Sequence, residues 1–235
     1  MRRVIIIIST FIIFLIFILY SCNNGSKRKK FQNKTQTVNK MQAVKKVEAV
    51  KKKIIVGILP LGEFDQNLIT IVKANIANYY QVNVIELPMQ ALPQTAYLIS
   101  RDRYIADSLL EFILNQKAFQ EKNISSTYCN YIVGLTSKDI CTSHNNSSSW
   151  GVFGLGFMPG KACIISTLRL KKNVDFSLLT ERLIKVVLHE LGHNFGLDHC
   201  TTPNCMMRDA EGTIKSVDNE KMDICDVCKR KLKNK

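Results

Sequence analysis

The sequence predicts an α/β (or α+β) domain whose core is a mixed, mostly parallel twisted sheet packed against helices. Three observations support this fold class. Roughly 180 residues follow position 53, enough for one sizeable core. Within them, short apolar runs alternate with segments of helical periodicity, a pattern typical of strands connected by helices. The last long helical segment, residues 178–195, carries closely spaced histidines and would be the active-site helix.

The elements can be predicted in chain order. Residues 54–59 form a short apolar run that ends at Pro60, as expected of a buried strand. Similar runs predict strands at residues 82–87, 130–135 and 161–169, and a glycine-containing strand at residues 152–157. Apolar side chains at helical spacing predict helices at residues 66–80, 104–115 and 178–195.

Residues 189–199 match the pattern HExxHxxGxxH at every fixed position. His189 and His193 are four residues apart on a helix, so both imidazoles can reach one metal ion. Gly196 allows the positive φ that ends a helix, and the chain can then turn and bring His199 back as a third ligand. Three ligands leave a fourth position open, as in catalytic zinc sites.

Glu190 directly follows the first histidine and is predicted to be the catalytic residue. A carboxylate beside the metal can take a proton from an attacking water and later pass it to the leaving amine. The alternative is a buried helix whose histidines only satisfy hydrogen bonds of the core. The additional matches at Gly196 and His199 favour zinc. The remaining histidine, His144, lies in a polar run and is predicted to be a solvated loop residue.

Four cysteines follow the histidines as a Cx4C pair and a CxxC pair: Cys200, Cys205, Cys225 and Cys228. This spacing is typical of a structural zinc site, in which four thiolates close the coordination shell. Such a metal would stabilise the C-terminal segment against the active-site helix. Two disulfides are the competing interpretation, and four cysteines allow three pairings.

Three other cysteines lie between the N-terminal segment and the histidines. Cys163 falls within a predicted strand, where a free cysteine usually packs as a small apolar group. Cys129 and Cys141 flank a predicted strand and its following loop, so a disulfide between them is conceivable in an oxidising compartment.

Taken together, these residues resemble the archaemetzincins, a branch of the metzincin metallopeptidases. The stretch is similar to their signature HExxHxxGx3Cx4CxM, with Met207 at the methionine and 17 residues between Met207 and Cys225. The resemblance covers roughly residues 54–232. It implies a metzincin-like fold with an antiparallel strand at one edge of the sheet and a zinc-stabilised C-terminal segment.

The resemblance also implies two Zn²⁺ ions per chain. The catalytic zinc would be bound by His189, His193 and His199, with Glu190 as general base and acid. The structural zinc would be bound by Cys200, Cys205, Cys225 and Cys228. Met207 would form the apolar floor below the catalytic metal, although Met206 beside it is an alternative and either could simply be core. Asp209 occupies the position of a further tyrosine ligand in some metzincins, so no tyrosine switch is expected.

Residues 151–156 contain three glycines that could suggest a phosphate-binding loop. No GK[ST] sequence and helix start follow them, so this interpretation is excluded. The resemblance instead places an antiparallel edge strand here, which lines the cleft and could pair with an extended peptide. Gly154 and Gly156 could equally mark a bulge without a role in substrate binding.

Residues 1–22 begin with two arginines and continue as an apolar run to Tyr20. This pattern fits an export signal, and its length is marginal for a span that needs roughly 20 residues. Residues 19–22 resemble the cleavage site of bacterial lipoproteins, after which Cys22 would carry the lipid. We expect a lipoprotein signal peptide, with an uncleaved N-terminal membrane anchor or ordinary secretion as alternatives. All three place the catalytic domain outside the cytoplasm.

A net charge of +14 is typical of nucleic-acid-binding proteins, but the distribution of the charge along the chain argues against that interpretation. Residues 1–53 hold 13 basic groups and one acidic group, whereas residues 54–235 hold 20 basic and 18 acidic groups. The excess therefore belongs to a basic, low-complexity linker at residues 23–53, and we expect no nucleic-acid partner.

These observations predict three parts: a signal or anchor at residues 1–22, the linker at 23–53, and a catalytic domain at 54–235. The predicted function is a monomeric, membrane-tethered zinc metallopeptidase that acts on peptides or proteins outside the cytoplasm. The alternative is a zinc-stabilised peptide-binding or protein-binding module of the same fold with little turnover. Glu190 favours the enzyme, because a binding module needs no base beside the metal.

Overall fold

The strands form two separate sheets in the computed structural model, which describes residues 54–122, 128–144, 147–210 and 212–233. The strands are β1 (Ile55–Pro60), β2 (Asn83–Glu86), β3 (Tyr97–Leu98), β4 (Arg103–Ile105), β5 (Tyr131–Thr136), β6 (Ile140–His144), β7 (Ser147–Val152), β8 (Gly154–Gly156) and β9 (Ala162–Ser166). The α-helices are α1 (Gln66–Tyr80), α2 (Ala106–Lys122), α3 (Phe176–Asn194), α4 (Ile214–Asn219) and α5 (Asp226–Lys233).

The larger sheet has the strand order β2-β1-β5-β9-β8. Its first four strands run parallel, because β1 pairs in parallel with β2 and β5, and β5 with β9. The edge strand β8 runs antiparallel to β9, with Gly154 opposite Ile165 and Gly156 opposite Cys163. The predicted mostly parallel sheet with an antiparallel edge strand is therefore confirmed.

Helix α1 has the bounds that its periodicity predicted. Asp65 caps its N-terminus, accepting hydrogen bonds from the backbone N–H groups of Asn67 and Leu68. At its other end, Gln81 adopts a left-handed conformation with φ of 55°. This helix packs against α3 on the same face of the larger sheet and so supports the active-site helix.

Helix α3 begins two residues before its predicted start, because Asp175 caps it by accepting a hydrogen bond from Leu178 N at 2.8 Å. Most of its second half is buried, and the helix packs against β8 and β9. It ends at Asn194, shortly before Gly196, whose φ of 82° matches the predicted left-handed turn.

The smaller sheet, with the order β3-β4-β6-β7, was not predicted. The helix expected at residues 104–115 begins instead at Ala106, because Tyr104 and Ile105 pair in β4 with Ile140 and Cys141 of β6. His144 was also predicted wrongly as a loop residue, since it ends strand β6 and pairs with Ser147.

The single strand predicted at residues 152–157 was also wrong, because two strands in different sheets occupy this part of the chain. Strand β7 ends at Val152 and belongs to the smaller sheet, whereas β8 begins at Gly154 and belongs to the larger one. Phe153 lies at the change of sheet, and its carbonyl accepts a hydrogen bond from Ser166 N at 2.9 Å.

Cys129, Cys141 and Cys163 are buried free thiols, so the conceivable disulfide between Cys129 and Cys141 is not formed. Among the residues with a described placement, no helix is long and apolar enough to cross a membrane. The predicted signal segment with Cys22, and the basic linker after it, lie outside the described residues.

A buried arginine connects α3 to α4. Arg182, only 6% exposed, donates from Nε and Nη2 to the two carboxylate oxygens of Asp218 at 2.6 and 2.7 Å. Its Nη1 donates to the Leu170 carbonyl at 2.9 Å. These hydrogen bonds hold the pKa of Asp218 below its usual value.

We expect Asp218→Asn to lower the free energy of unfolding at pH 7 by about 1–3 kcal/mol, because a buried guanidinium loses its counter-charge. The folded-state pKa of Asp218 is depressed, so its contribution is present above the unfolded pKa of about 3.9 and is lost as the pH falls through the folded value. Urea unfolding from pH 3 to pH 7 should therefore show the variant and the wild type converging at low pH. The exposed Glu63→Gln serves as a control, and an unchanged stability at pH 7 would contradict the prediction.

Candidate metal centres and active-site cavity

His189 and His193 project from the same face of α3, one turn apart. Their Nε2 atoms lie 3.0 Å from each other. Gly196 N donates to the His193 carbonyl at 2.7 Å and Leu197 N to the Gly192 carbonyl at 2.9 Å, which closes the helix with a tight turn. The turn brings His199 to the other two histidines, and one ligand atom from each residue lies within 4.8 Å of the others.

The other ring nitrogens of the three histidines face acceptors away from the common centre. Nδ1 of His189 lies 2.7 Å from the Met206 carbonyl, and Nδ1 of His193 lies 2.7 Å from the Leu197 carbonyl. Nδ1 of His199 lies 3.6 Å from a carboxylate oxygen of Asp209. If each Nδ1 carries the proton, the Nε2 lone pair of each ring is free to bind a metal. Zinc-binding histidines usually donate their second ring N–H to a carbonyl or carboxylate in this way.

The donor set suits zinc in its charge state as well as in its geometry. Burial lowers the pKa of His189 to about 4, helped by the neighbouring His193, and burial also lowers the pKa of His193. Both rings are therefore neutral at physiological pH, which is the form that binds a metal. Three imidazoles around one point fit a catalytic zinc with an open position.

Asp209 is the outer partner of the most exposed histidine, so its loss should weaken the site. We expect Asp209→Ala to raise the Kd for zinc at the histidine site by about 10- to 100-fold. Competition with a chromogenic chelator measures this change. Asp198→Ala is the matched control, because Asp198 is adjacent to His199 but its carboxylate contacts Lys231. Equal affinities in both variants and the wild type would contradict the prediction.

Glu190 lies on the same helix, pressed against the edge strand β8. A Cβ atom on Gly154 would lie 2.8 Å from Glu190 Cγ, and one on Gly156 would lie 2.8 Å from the Glu190 carbonyl oxygen. Burial raises the pKa of Glu190 to about 8, as does Asp209, while a hydrogen bond with the Gly156 backbone lowers it. The two glycines therefore make room for Glu190, a function that neither the bulge nor the substrate-strand interpretation predicted.

Met207 lies fully buried beneath α3. Any other residue at position 192 would place its Cβ atom only 2.7 Å from Met207 Sδ. The close packing of Met207 against α3 therefore requires Gly192. The Met207 carbonyl also accepts a hydrogen bond from Cys200 N at 2.8 Å. Met206 is buried too, and its carbonyl oxygen lies 2.7 Å from Nδ1 of His189.

The four cysteines that follow the histidines meet at one point. The sulfur atoms of Cys200 and Cys225 lie 3.6 Å apart, and those of Cys205 and Cys228 lie 3.9 Å apart. All four thiols are free, and their sulfur atoms lie within 4.8 Å of one another. These distances suit four thiolates around one zinc ion and do not support the disulfide alternative.

The CxxC pair lies at the start of α5 rather than in a loop. Because the Cys228 backbone hydrogen-bonds to Cys225, the pKa of the Cys225 thiol falls to about 6. Thr202 N also donates to Cys200 Sγ at 3.4 Å, and Cys225 N to Cys205 Sγ at 3.3 Å. Backbone donors of this kind favour the thiolate of Cys225, whereas burial raises the pKa of the Cys205 and Cys228 thiols.

A cavity of about 1240 Å³ opens over the three histidines and Glu190. Its apolar wall includes Trp150, Val152, Phe153, Leu155, Val186 and Val217. Strands β7 and β8 thus line one side, and helix α4 lines another. The contribution of β7 was not predicted, because the smaller sheet was missed.

Comparison with known proteins agrees with this geometry. The family model of peptidase family M54 matches residues 52–234. An archaemetzincin from Haloquadratum walsbyi is 30% identical over 187 residues, which cover 76% of this chain and 99% of the relative. The crystal structure of an archaemetzincin from Methanopyrus kandleri has a TM-score of 0.64 and 26% identity, with 79% of this chain and 96% of that chain covered. That of an archaemetzincin from Archaeoglobus fulgidus complexed with malonate has a TM-score of 0.61 and 25% identity, with 76% and 99% covered. The chain therefore belongs to peptidase family M54, the archaemetzincins, and is a zinc metallopeptidase.

Proposed function

We propose that this peptidase cleaves peptide bonds by attack of a water molecule that Glu190 deprotonates. The observation that carries the proposal is the position of Glu190, whose carboxylate lines the same cavity as His189, His193 and His199. Zinc held by these three histidines would supply Lewis acidity, polarising the scissile carbonyl and making a water molecule more acidic. The residues of the chain provide the remaining steps.

Glu190 has the contacts that a proton carrier needs. Its carboxylate is buried, and a hydrogen bond with the Gly156 backbone helps to hold it in place. From there it would accept the proton of the attacking water and pass it to the leaving nitrogen as the peptide bond breaks. The cavity walls would exclude bulk water from this transfer.

The substrate would bind as an extended peptide along β8. Only β9 pairs with this strand among the described residues, so its other edge can accept main-chain hydrogen bonds. Gly154, Leu155 and Gly156 all line the cavity. A peptide on this edge would therefore pass directly in front of the histidines.

We also propose a second, structural zinc at Cys200, Cys205, Cys225 and Cys228. The segment between these cysteine pairs contains Met207 and the carbonyl of Met206 that contacts His189. A metal bound by the cysteines at both ends of this segment would therefore stabilise the residues below the histidines as well as the C-terminus.

The N-terminal sequence supports a membrane-tethered enzyme outside the cytoplasm, with Cys22 as the lipid-bearing residue and residues 23–53 as a basic linker. Expression in bacteria with a labelled fatty acid tests this assignment, with Cys22→Ala as the control. Label on the wild type alone would support lipidation. Retention in the membrane without label would favour an uncleaved anchor, and release from the cell would favour secretion.

A peptide-library digest tests the proposed hydrolysis. The full chain loaded with zinc should cleave a subset of peptides, a chelator should abolish cleavage, and restored zinc should recover it. Mass spectrometry of the products would also define the cleavage preference. Background-level cleavage by the zinc-loaded chain would contradict turnover and support a peptide-binding module.

A further inference from the structure

Asn194 is the last residue of α3 and directly follows His193, but its side chain points away from the histidines. It is 3% exposed and contacts the connection between β8 and β9. Its amide Nδ2 donates to the Phe157 carbonyl at 2.9 Å and to the Ala162 carbonyl at 2.8 Å. Its own backbone carbonyl accepts a hydrogen bond from Gly160 N at 3.3 Å.

These three hydrogen bonds connect the end of the active-site helix to both ends of the β8–β9 turn. Phe157 directly follows β8, and Ala162 is the first residue of β9. A single amide group with two N–H donors satisfies both carbonyls. An apolar side chain of the same size would remove this donor from the Phe157 carbonyl and leave the Ala162 carbonyl with only a 3.4 Å hydrogen bond from Phe157 N.

The connection matters because β8 is short and lies at the edge of its sheet. The strand has three residues and pairs only with β9 among the described residues, so few backbone hydrogen bonds hold it in place. Its distance from α3 is nevertheless narrowly defined. A Cβ atom on Gly156 would lie 2.8 Å from the Glu190 carbonyl and 3.4 Å from Asn194 Nδ2.

We infer that Asn194 is a positioning residue that holds β8 at the distance from α3 at which the strand can bind substrate in front of Glu190. This inference rests on the proposed function, in which a peptide pairs with β8. The side chain uses both of its donors for this task, whereas its buried Oδ1 has no hydrogen-bond partner among the described residues. Asn194 thus acts through its N–H groups and contacts neither substrate nor metal.

The test compares the full chain with Asn194→Leu, which keeps the volume and removes both donors, and with Asn194→Ser, which can retain one donor. We expect KM for a cleaved peptide to rise about tenfold in Asn194→Leu and less in Asn194→Ser, with an unchanged zinc content. Asn75→Leu is the matched control, because Asn75 also donates its amide to a backbone carbonyl, that of Ile71 within α1. It should leave KM unchanged.

Hydrogen exchange provides a readout that does not depend on activity. The amides of β8 and β9 should exchange at least about tenfold faster in Asn194→Leu, while those in the middle of α3 remain protected. If the leucine variant does not fold, the exchange rates of the serine variant are compared with those of the wild type instead. A wild type that cleaves peptides, with variants that lose thermal stability but keep both KM and β8 protection, would overturn the inference. A wild type without peptidase activity would instead refute the proposed function, and exchange would still report whether Asn194 holds β8.

Discussion

Glu190→Gln is expected to reduce kcat for peptide hydrolysis by about 10²- to 10⁴-fold, the usual effect of removing a general acid–base group. Glutamine has nearly the same shape but cannot accept the proton of the attacking water. The three histidines are unchanged, so the zinc content should remain that of the wild type. The melting temperature should be close to that of the wild type, because glutamine fills the same buried volume.

Single-turnover and steady-state assays with one peptide from the digest would measure this effect. Asp198→Asn is the matched control, since it neutralises another carboxylate of the same cavity that contacts Lys231. This control should retain most of the activity. A Glu190→Gln variant with more than a tenth of the wild-type kcat would show that another group carries the proton.

Cys225→Ser is expected to remove the proposed structural zinc and to weaken zinc binding at the histidines. Three thiolates hold zinc less tightly than four, and the segment that carries the Met206 carbonyl would become less ordered. Because that carbonyl lies 2.7 Å from Nδ1 of His189, the catalytic ligand loses its orienting partner. A metal present at about 1,000 times its Kd stabilises the folded chain by about 4 kcal/mol, and its loss would lower the melting temperature by roughly 8–16 °C in a domain of this size.

Elemental analysis and thermal unfolding of the purified variant would check both effects. Cys163→Ala is the control, because Cys163 is a buried free thiol in β9, outside the four-cysteine cluster. It should lose some stability but no zinc. A Cys225→Ser chain with the zinc content and melting temperature of the wild type would contradict the structural role of the cluster.

The parts of the fold that the sequence predicted are those with strong local signals. Helix α1 has a complete apolar face and an N-terminal cap at Asp65, so even its bounds were correct. The parallel strands are continuous apolar runs. The HExxHxxGxxH spacing likewise predicted that the three histidines would meet, because helix geometry and the Gly196 turn bring them together.

The smaller sheet was missed because its strands have weak local signals: two are very short, and β7 begins with three serines. Strands β3 and β4 have only two and three residues, and β4 pairs with β6, whose partner residues lie 36 positions later. The functions of Gly154, Gly156 and Asn194 also follow only from tertiary packing. The glycines were recognised as unusual, but their contact with Glu190 depends on how β8 packs against α3.

The central claim is that one chain holds two zinc ions, one at the histidines and one at the cysteines. Elemental analysis of the purified full chain tests it most directly, together with a His189→Ala/His193→Ala double variant. We predict close to two zinc ions per wild-type chain and close to one in the double variant, with the remaining ion resistant to mild chelation. A wild type with one zinc ion or fewer, or a double variant that keeps the wild-type number, would contradict the account.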